Sequence, residues 1–209
     1  MNRADPSSEQ QTLTLQQALD LALQQHTAGR LPEAEKIYRE ILRADANHPD
    51  ALHLIGVIAH QKGNNETAID FITKALAIKP DYLEAHGNLG LALHELGKLE
   101  EAIASYHKAI DIKPEYAEAH YNLGNVFKEL GRIEEAVFSY CEAFAAKPDY
   151  AEAHSNLGLV FQDLGMLSEA AESHQKALNL KPDYAKAHSN LGVTFRELGK
   201  LNEAAESYK

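Results

Sequence analysis

The chain has 209 residues, 44% hydrophobic and 24% charged, which is enough apolar material to bury a core and excludes a broadly disordered or fibrous chain. Twenty Lys and Arg face 31 Asp and Glu, and the resulting net charge of −11 repels nucleic-acid phosphate and anionic lipid, so neither nucleic acid nor membrane is an expected partner. One cysteine, Cys141, precludes an internal disulfide, and with no long apolar run or leader pattern at the N-terminus the chain reads as soluble and cytoplasmic.

Residues 1–14 carry Asp5, Pro6, Ser7 and Ser8 without apolar periodicity and read as a mobile polar tail. Thr14 and Gln17 have the spacing of a capping box, which starts a first helix at Leu15. Beyond it, Gly29, Gly63, Gly97, Gly131, Gly165 and Gly199 recur in steps of 34, and Gly56, Gly90, Gly124, Gly158 and Gly192 keep the same step. Pro80, Pro114, Pro148 and Pro182 do so too. Such self-similarity marks a solenoid. The repeats are therefore 15–48, 49–82, 83–116, 117–150, 151–184 and an incomplete 185–209.

Each repeat predicts two helices. In the third, Ala85, Leu89, Ala92, Leu93 and Leu96 share one side of a first helix, and Leu99, Ala102, Ile103, Tyr106, Ala109 and Ile110 one side of a second. Gly97 separates them as a left-handed C-terminal residue, and Pro114 ends the second. Asp81, Glu115, Asp149 and Asp183 are the expected N-caps or first-turn acids of the next helices. Glycine at position 8 of five repeats lies inside the first helix, where it costs about 1 kcal/mol relative to alanine. Close approach of the paired helix explains it, with Ala102 or its equivalent expected opposite and the aromatics of positions 11 and 24 filling the space between helices.

Through His86, Leu89, Gly90, Leu93, Ala102, Tyr106, Ala109 and Pro114 the repeats resemble the tetratricopeptide repeat (TPR) family over residues 15–209. The resemblance implies an all-α fold, a right-handed TPR solenoid whose first helices line a concave groove. The first repeat departs from the pattern with Ala22 and Ala46 in place of glycine and proline.

On a helical wheel, positions 2, 6, 9 and 13 of the first helix form the stripe left open to the groove. Position 6 reads Asp20, Leu54, Asn88, Asn122, Asn156 and Asn190. A carboxamide donates and accepts, so it can pair with a peptide group regardless of the attached side chain. Stacked first helices about 10 Å apart would meet roughly every third residue of an extended peptide. Asn88, Asn122, Asn156 and Asn190, with Asn125 at position 9, are the expected peptide-binding residues, flanked by Glu84, Glu118, Tyr121, Glu152 and Lys186. The glutamates either favour the helix N-terminus or add negative potential that prefers basic ligands.

The ladder resembles that of O-linked N-acetylglucosamine transferases and SPINDLY-like proteins, carried here by Ala153-His154-Ser155-Asn156-Leu157-Gly158 and Ala187-His188-Ser189-Asn190-Leu191-Gly192. That family implies an amide ladder that holds substrate backbone. TPR carboxylate clamps, which take acidic chaperone tails, would need three cations where this chain reads Tyr121, Lys186 and Asn190, so that ligand is disfavoured.

The eleven histidines recur at position 4 or lack a compact set of partners, so no metal or other cofactor is expected. Glu100-Glu101 and Glu134-Glu135 start second helices and face solvent, and no constellation activates Cys141, so an enzyme is not expected in this chain. The last repeat stops inside its second helix, which reads as a fragment with an exposed end prone to end-to-end self-association. The expected function is a protein–protein interaction module holding an extended peptide segment, with substrate recruitment for a larger glycosyltransferase as its narrower form. An assembly scaffold using terminal or convex surfaces is the alternative.

Overall fold

Gly29, Gly63, Gly97, Gly131, Gly165 and Gly199 adopt φ between 70° and 77° and separate the two helices of each pair. The computed structural model describes residues 14–208, and every helix or strand among them is an α-helix. The first helices are α1 (Leu15–Thr27), α3 (Pro49–Gln61), α5 (Leu83–Glu95), α7 (Ala117–Glu129), α9 (Ala151–Asp163) and α11 (Ala185–Glu197). Their partners are α2 (Leu31–Ala44), α4 (Asn65–Ile78), α6 (Leu99–Ile112), α8 (Ile133–Ala146), α10 (Leu167–Leu180) and α12 (Leu201–Ser207). They form two units, one ending at Pro80 with α1–α4 and one starting at Asp81 with α5–α12.

The expected tail lies outside the described residues apart from Thr14. The capping box forms: Gln17 N donates to Thr14 Oγ1 at 3.2 Å, and Thr14 N donates to Gln17 Oε1 at 2.9 Å. After α5, Gly97 N donates to the His94 carbonyl at 2.8 Å and Lys98 N to that of Leu93 at 3.0 Å, closing the helix through a left-handed residue. The same two bonds recur at the other five glycines.

The glycine inside the first helix answers a ring in four pairs, and in α3 Gly56 answers Ile72, whose Cγ1 a Cβ would meet at 2.6 Å. A Cβ on Gly90 would lie 2.5 Å from Tyr106 Cε1, one on Gly124 2.7 Å from Tyr140 Cε1, and one on Gly158 2.6 Å from His174 Cε1. The residue opposite is thus the aromatic of position 24, not the alanine of position 20 that the spacing suggested. In that position Tyr38, Tyr106, Tyr140 and His174 are completely buried. The first pair carries Ala22 instead and still buries Tyr38, set edge-on to His26 with centroids 6.1 Å apart.

A second expectation also changes. The first helices of the second unit are capped by Tyr82, Tyr116, Tyr150 and Tyr184, one residue after the predicted acids, with no side-chain cap bond. A side-chain cap is worth about 1 kcal/mol. Here the ring packs instead: a Cβ on Gly87 would meet Tyr116 at 3.3 Å, and the Tyr150 and Tyr121 centroids are 4.9 Å apart. Burying a ring outweighs the missing cap.

Gly124→Ala should improve local helix propensity yet drive a methyl into the Tyr140 ring, which has nowhere to move, for a net loss of roughly 1–3 kcal/mol. Urea unfolding that finds the variant as stable as the wild type would refute this account of the glycine. His174 gives a second expectation. Burial lowers its pKa from 6.5 to about 4, and neither ring nitrogen has a hydrogen-bond partner. The folded pKa lies below the unfolded one, so the unfolded state takes up the proton first. Stability is therefore intact above about pH 6.5 and falls by roughly 3 kcal/mol as the pH drops toward 4. His174→Tyr should flatten that decline between pH 7 and 5 in parallel urea titrations, and identical slopes would exclude His174 as its source.

Candidate functional site

Successive first helices of the second unit touch through residues 35 apart. Asn156 Nδ2 on α9 donates to the Tyr121 hydroxyl on α7 at 3.1 Å, and Asn190 Nδ2 on α11 to Ser155 Oγ on α9 at 3.5 Å. Nearer the C-terminal ends of these helices, His94 Nε2 bonds Glu129 Oε2 at 2.8 Å and Gln162 Nε2 donates to Glu197 Oε1 at 3.1 Å. Asn156 and Asn190 thus belong to a polar seam between stacked helices.

The densest part of the seam surrounds Asn125. Its Oδ1 accepts from Asn156 Nδ2 at 2.8 Å and from the Tyr140 hydroxyl at 2.8 Å. With both Nδ2 hydrogens spent on Asn125 and Tyr121, Asn156 keeps Oδ1 as an acceptor, and Tyr121 keeps its hydroxyl proton to donate. An acceptor and a donor thus stand side by side, which is the complement of the N–H and C=O of one residue in an extended chain. Asn125 also explains a contrast in the core. The Tyr140 hydroxyl is satisfied by it, whereas the Tyr106 hydroxyl, in the repeat that carries Leu91 in place of Asn125, is buried without a partner.

Tyr121, Asn125 and Asn156 are therefore brought together, and Asn190 joins the same face one helix on. Asn88 and Asn122 are half-buried on α5 and α7. Asp20 is exposed and accepts from Gln16 Nε2 at 2.9 Å, and Leu54 packs on the apolar core of the first unit, so neither contributes a carboxamide. Glu84 and Glu118 are exposed, Glu152 is half-buried, and Lys186 is exposed at the start of α11.

Sequence reasoning omitted the tyrosines that precede the first helices, although Tyr82, Tyr116, Tyr150 and Tyr184 recur at the same step of 34. Burial pushes the Tyr116, Tyr150 and Tyr184 hydroxyls to higher pKa, and neighbouring glutamates add to it: Glu118 and Glu84 at Tyr116, Glu118 and Glu152 at Tyr150, and Glu152 at Tyr184. The phenols therefore remain protonated.

The position-4 histidines hold loops. His120 Nε2 donates to the Pro114 carbonyl at 2.7 Å and His188 Nε2 to that of Pro182 at 2.8 Å, which places the ring proton on Nε2. His154 instead stacks on Phe144, with centroids 4.5 Å apart and planes 12° from parallel. Burial, and then Glu142, raise the Cys141 thiol pKa, the opposite of what a nucleophile needs. Among the described residues no three His, Cys, Asp or Glu side chains gather closely enough to hold a metal, and no helix is long and apolar enough to cross a membrane.

A segment of human DnaJ homolog subfamily C member 7 is 37% identical over 57 residues, which is 27% of this chain and 12% of that protein. The match thus spans about an eighth of that relative's length. The crystal structure of MamA is 28% identical, covers 80% of this chain and 98% of its own, and superposes with a TM-score of 0.71. PilW, a type IV pilus biogenesis factor, shares the fold at 22% identity and a TM-score of 0.85, covering 94% of this chain and 91% of its own. A family model described as TPR repeat matches residues 92–131, 124–165 and 160–195, and others described as tetratricopeptide repeat match 19–82, 71–104 and 185–209. Helix pairs and family matches together cover the chain from residue 19 onward, and it belongs to the tetratricopeptide repeat family, whose members act as protein–protein interaction modules.

Proposed function

We propose that α5, α7, α9 and α11 hold an extended segment of a protein partner, with Asn88, Asn122, Asn156 and Asn190 pairing with its peptide groups. The supporting observation is the fixed orientation of the Asn156 carboxamide. Its hydrogens are committed to Asn125 and Tyr121, so it does not need to be ordered when a ligand arrives, and the entropy lost on binding is correspondingly smaller. The ligand's N–H would meet Asn156 Oδ1, and its C=O the Tyr121 hydroxyl. Asn125 acts behind them as the group that holds the amide. Glu84, Glu118, Glu152 and Lys186 would flank the bound segment.

The narrower reading is that this recruitment serves a glycosyltransferase, as the resemblance of the ladder implies. In a protein that joins the repeats to such a transferase, changing the four asparagines to alanine should reduce transfer to protein substrates while leaving hydrolysis of the sugar donor unchanged. Equal transfer by the two forms would reject the narrower reading alone.

The broader reading is tested by selecting extended decapeptides from a displayed random library and comparing the wild type with Asn88→Ala/Asn122→Ala/Asn156→Ala/Asn190→Ala. Hydrogen bonds worth about 0.5–1.5 kcal/mol each predict a loss of affinity beyond tenfold. Helicity should be retained, because alanine is the better helix former. Unchanged capture by the variant would reject the ladder and favour binding or self-association through another surface.

A further inference from the structure

Two places beside the proposed ladder hold the same trio of groups. Lys147 Nζ lies 4.8 Å from the centroid of the Tyr150 ring, whose phenol pKa the charges of Glu118 and Glu152 help to raise. Lys181 Nζ lies 5.3 Å from the Tyr184 centroid and 3.5 Å from Glu152 Oε1. Each lysine is the residue directly after a second helix, and each tyrosine the residue directly before the next first helix. The Tyr150 ring also stands 4.9 Å from Tyr121, whose hydroxyl bonds Asn156, so the first trio adjoins the proposed peptide-reading pair.

A ring face with a carboxylate beside it is a cation site, because the negative face of the ring and the carboxylate attract the same ammonium. The chain's own lysines show that these places accept one. They hold it weakly: Lys181 is 48% exposed and its partner Glu152 38%, and exposed pairs of this kind contribute little. A lysine or arginine on a bound segment can therefore exchange with them. The chain carries 31 acidic against 20 basic residues, so a basic segment is also favoured at longer range.

Building on the groove reading, we propose that Tyr150 with Glu118, and Tyr184 with Glu152, receive lysine or arginine side chains of the bound segment, which makes the partner a basic, extended peptide. The two trios are one repeat apart, about 10 Å, which corresponds to every third residue of an extended chain at about 3.3 Å per residue.

Three fluorescein-labelled decapeptides of glycine and serine, carrying Lys, Gln or Glu at every third position, test this by anisotropy at low and high salt. The Lys peptide should bind about fivefold or more tightly than the Gln peptide at low salt, and the gap should narrow as salt screens it. The Glu peptide should bind more weakly than either. Glu118→Gln/Glu152→Gln should erase the lysine advantage, and Lys181→Met, which removes the internal competitor, should strengthen binding of the Lys peptide. Equal affinity for Lys and Gln peptides, or a lysine advantage that survives the double substitution, overturns the assignment of a basic ligand. The ladder is read separately, from whether the Gln peptide loses affinity in the four-alanine variant. Absence of binding by all three peptides rejects both proposals.

Discussion

In four of the six pairs a side chain is removed from one helix so that a larger one on the other can be buried. Gly90, Gly124 and Gly158 leave no room even for a methyl beside Tyr106, Tyr140 and His174. The rings are completely buried as a result. The proposed site rests on this contact, because it sets the distance between paired helices, while in the second unit successive first helices meet one another. His174 marks the weak point. It preserves the ring's shape and loses the bond that Asn125 provides for Tyr140, leaving two buried nitrogens without partners.

The seam between first helices answers a problem of its own. Carboxamides at a half-buried helix face need partners, and stacking supplies them from the helix before. Asn156 is held by Tyr121 and Asn125 in this way, and Asn190 reaches Ser155. A group held by its neighbours serves stability and recognition together, provided one polar atom stays uncommitted, and in Asn156 that atom is Oδ1.

Much of this was legible in the sequence, and the reasons differ by feature. Glycine and proline spacing announced the helix pairs because both residues act through local backbone geometry, which needs no knowledge of the fold. That the four asparagines recur at one position of successive first helices followed from the repeat step. The N-caps were misplaced because a local preference for acids was overridden by a tertiary contact, the tyrosine ring lying on the preceding first helix. The partner of the position-8 glycine was misassigned for a related reason, since size alone suggested a small residue opposite and the ring fills the gap instead. The double role of Asn125 was hidden because it depends on bonds between residues 15 and 31 apart, a register that only the packed helices define. The tyrosines at 116, 150 and 184 were visible as a recurrence and were passed over because they fall in the connecting loops.

The seam also governs how such a chain can change length. Bonds that join residue i to residue i+35 are preserved when a whole pair is duplicated or removed, since every surviving neighbour keeps the same offset. One residue added within α9 ahead of Asn156 has the opposite effect, turning its amide by about 100° around the helix axis and away from Tyr121. Growth by entire modules is therefore nearly neutral for this polar network, whereas single-residue indels inside the first helices disrupt it.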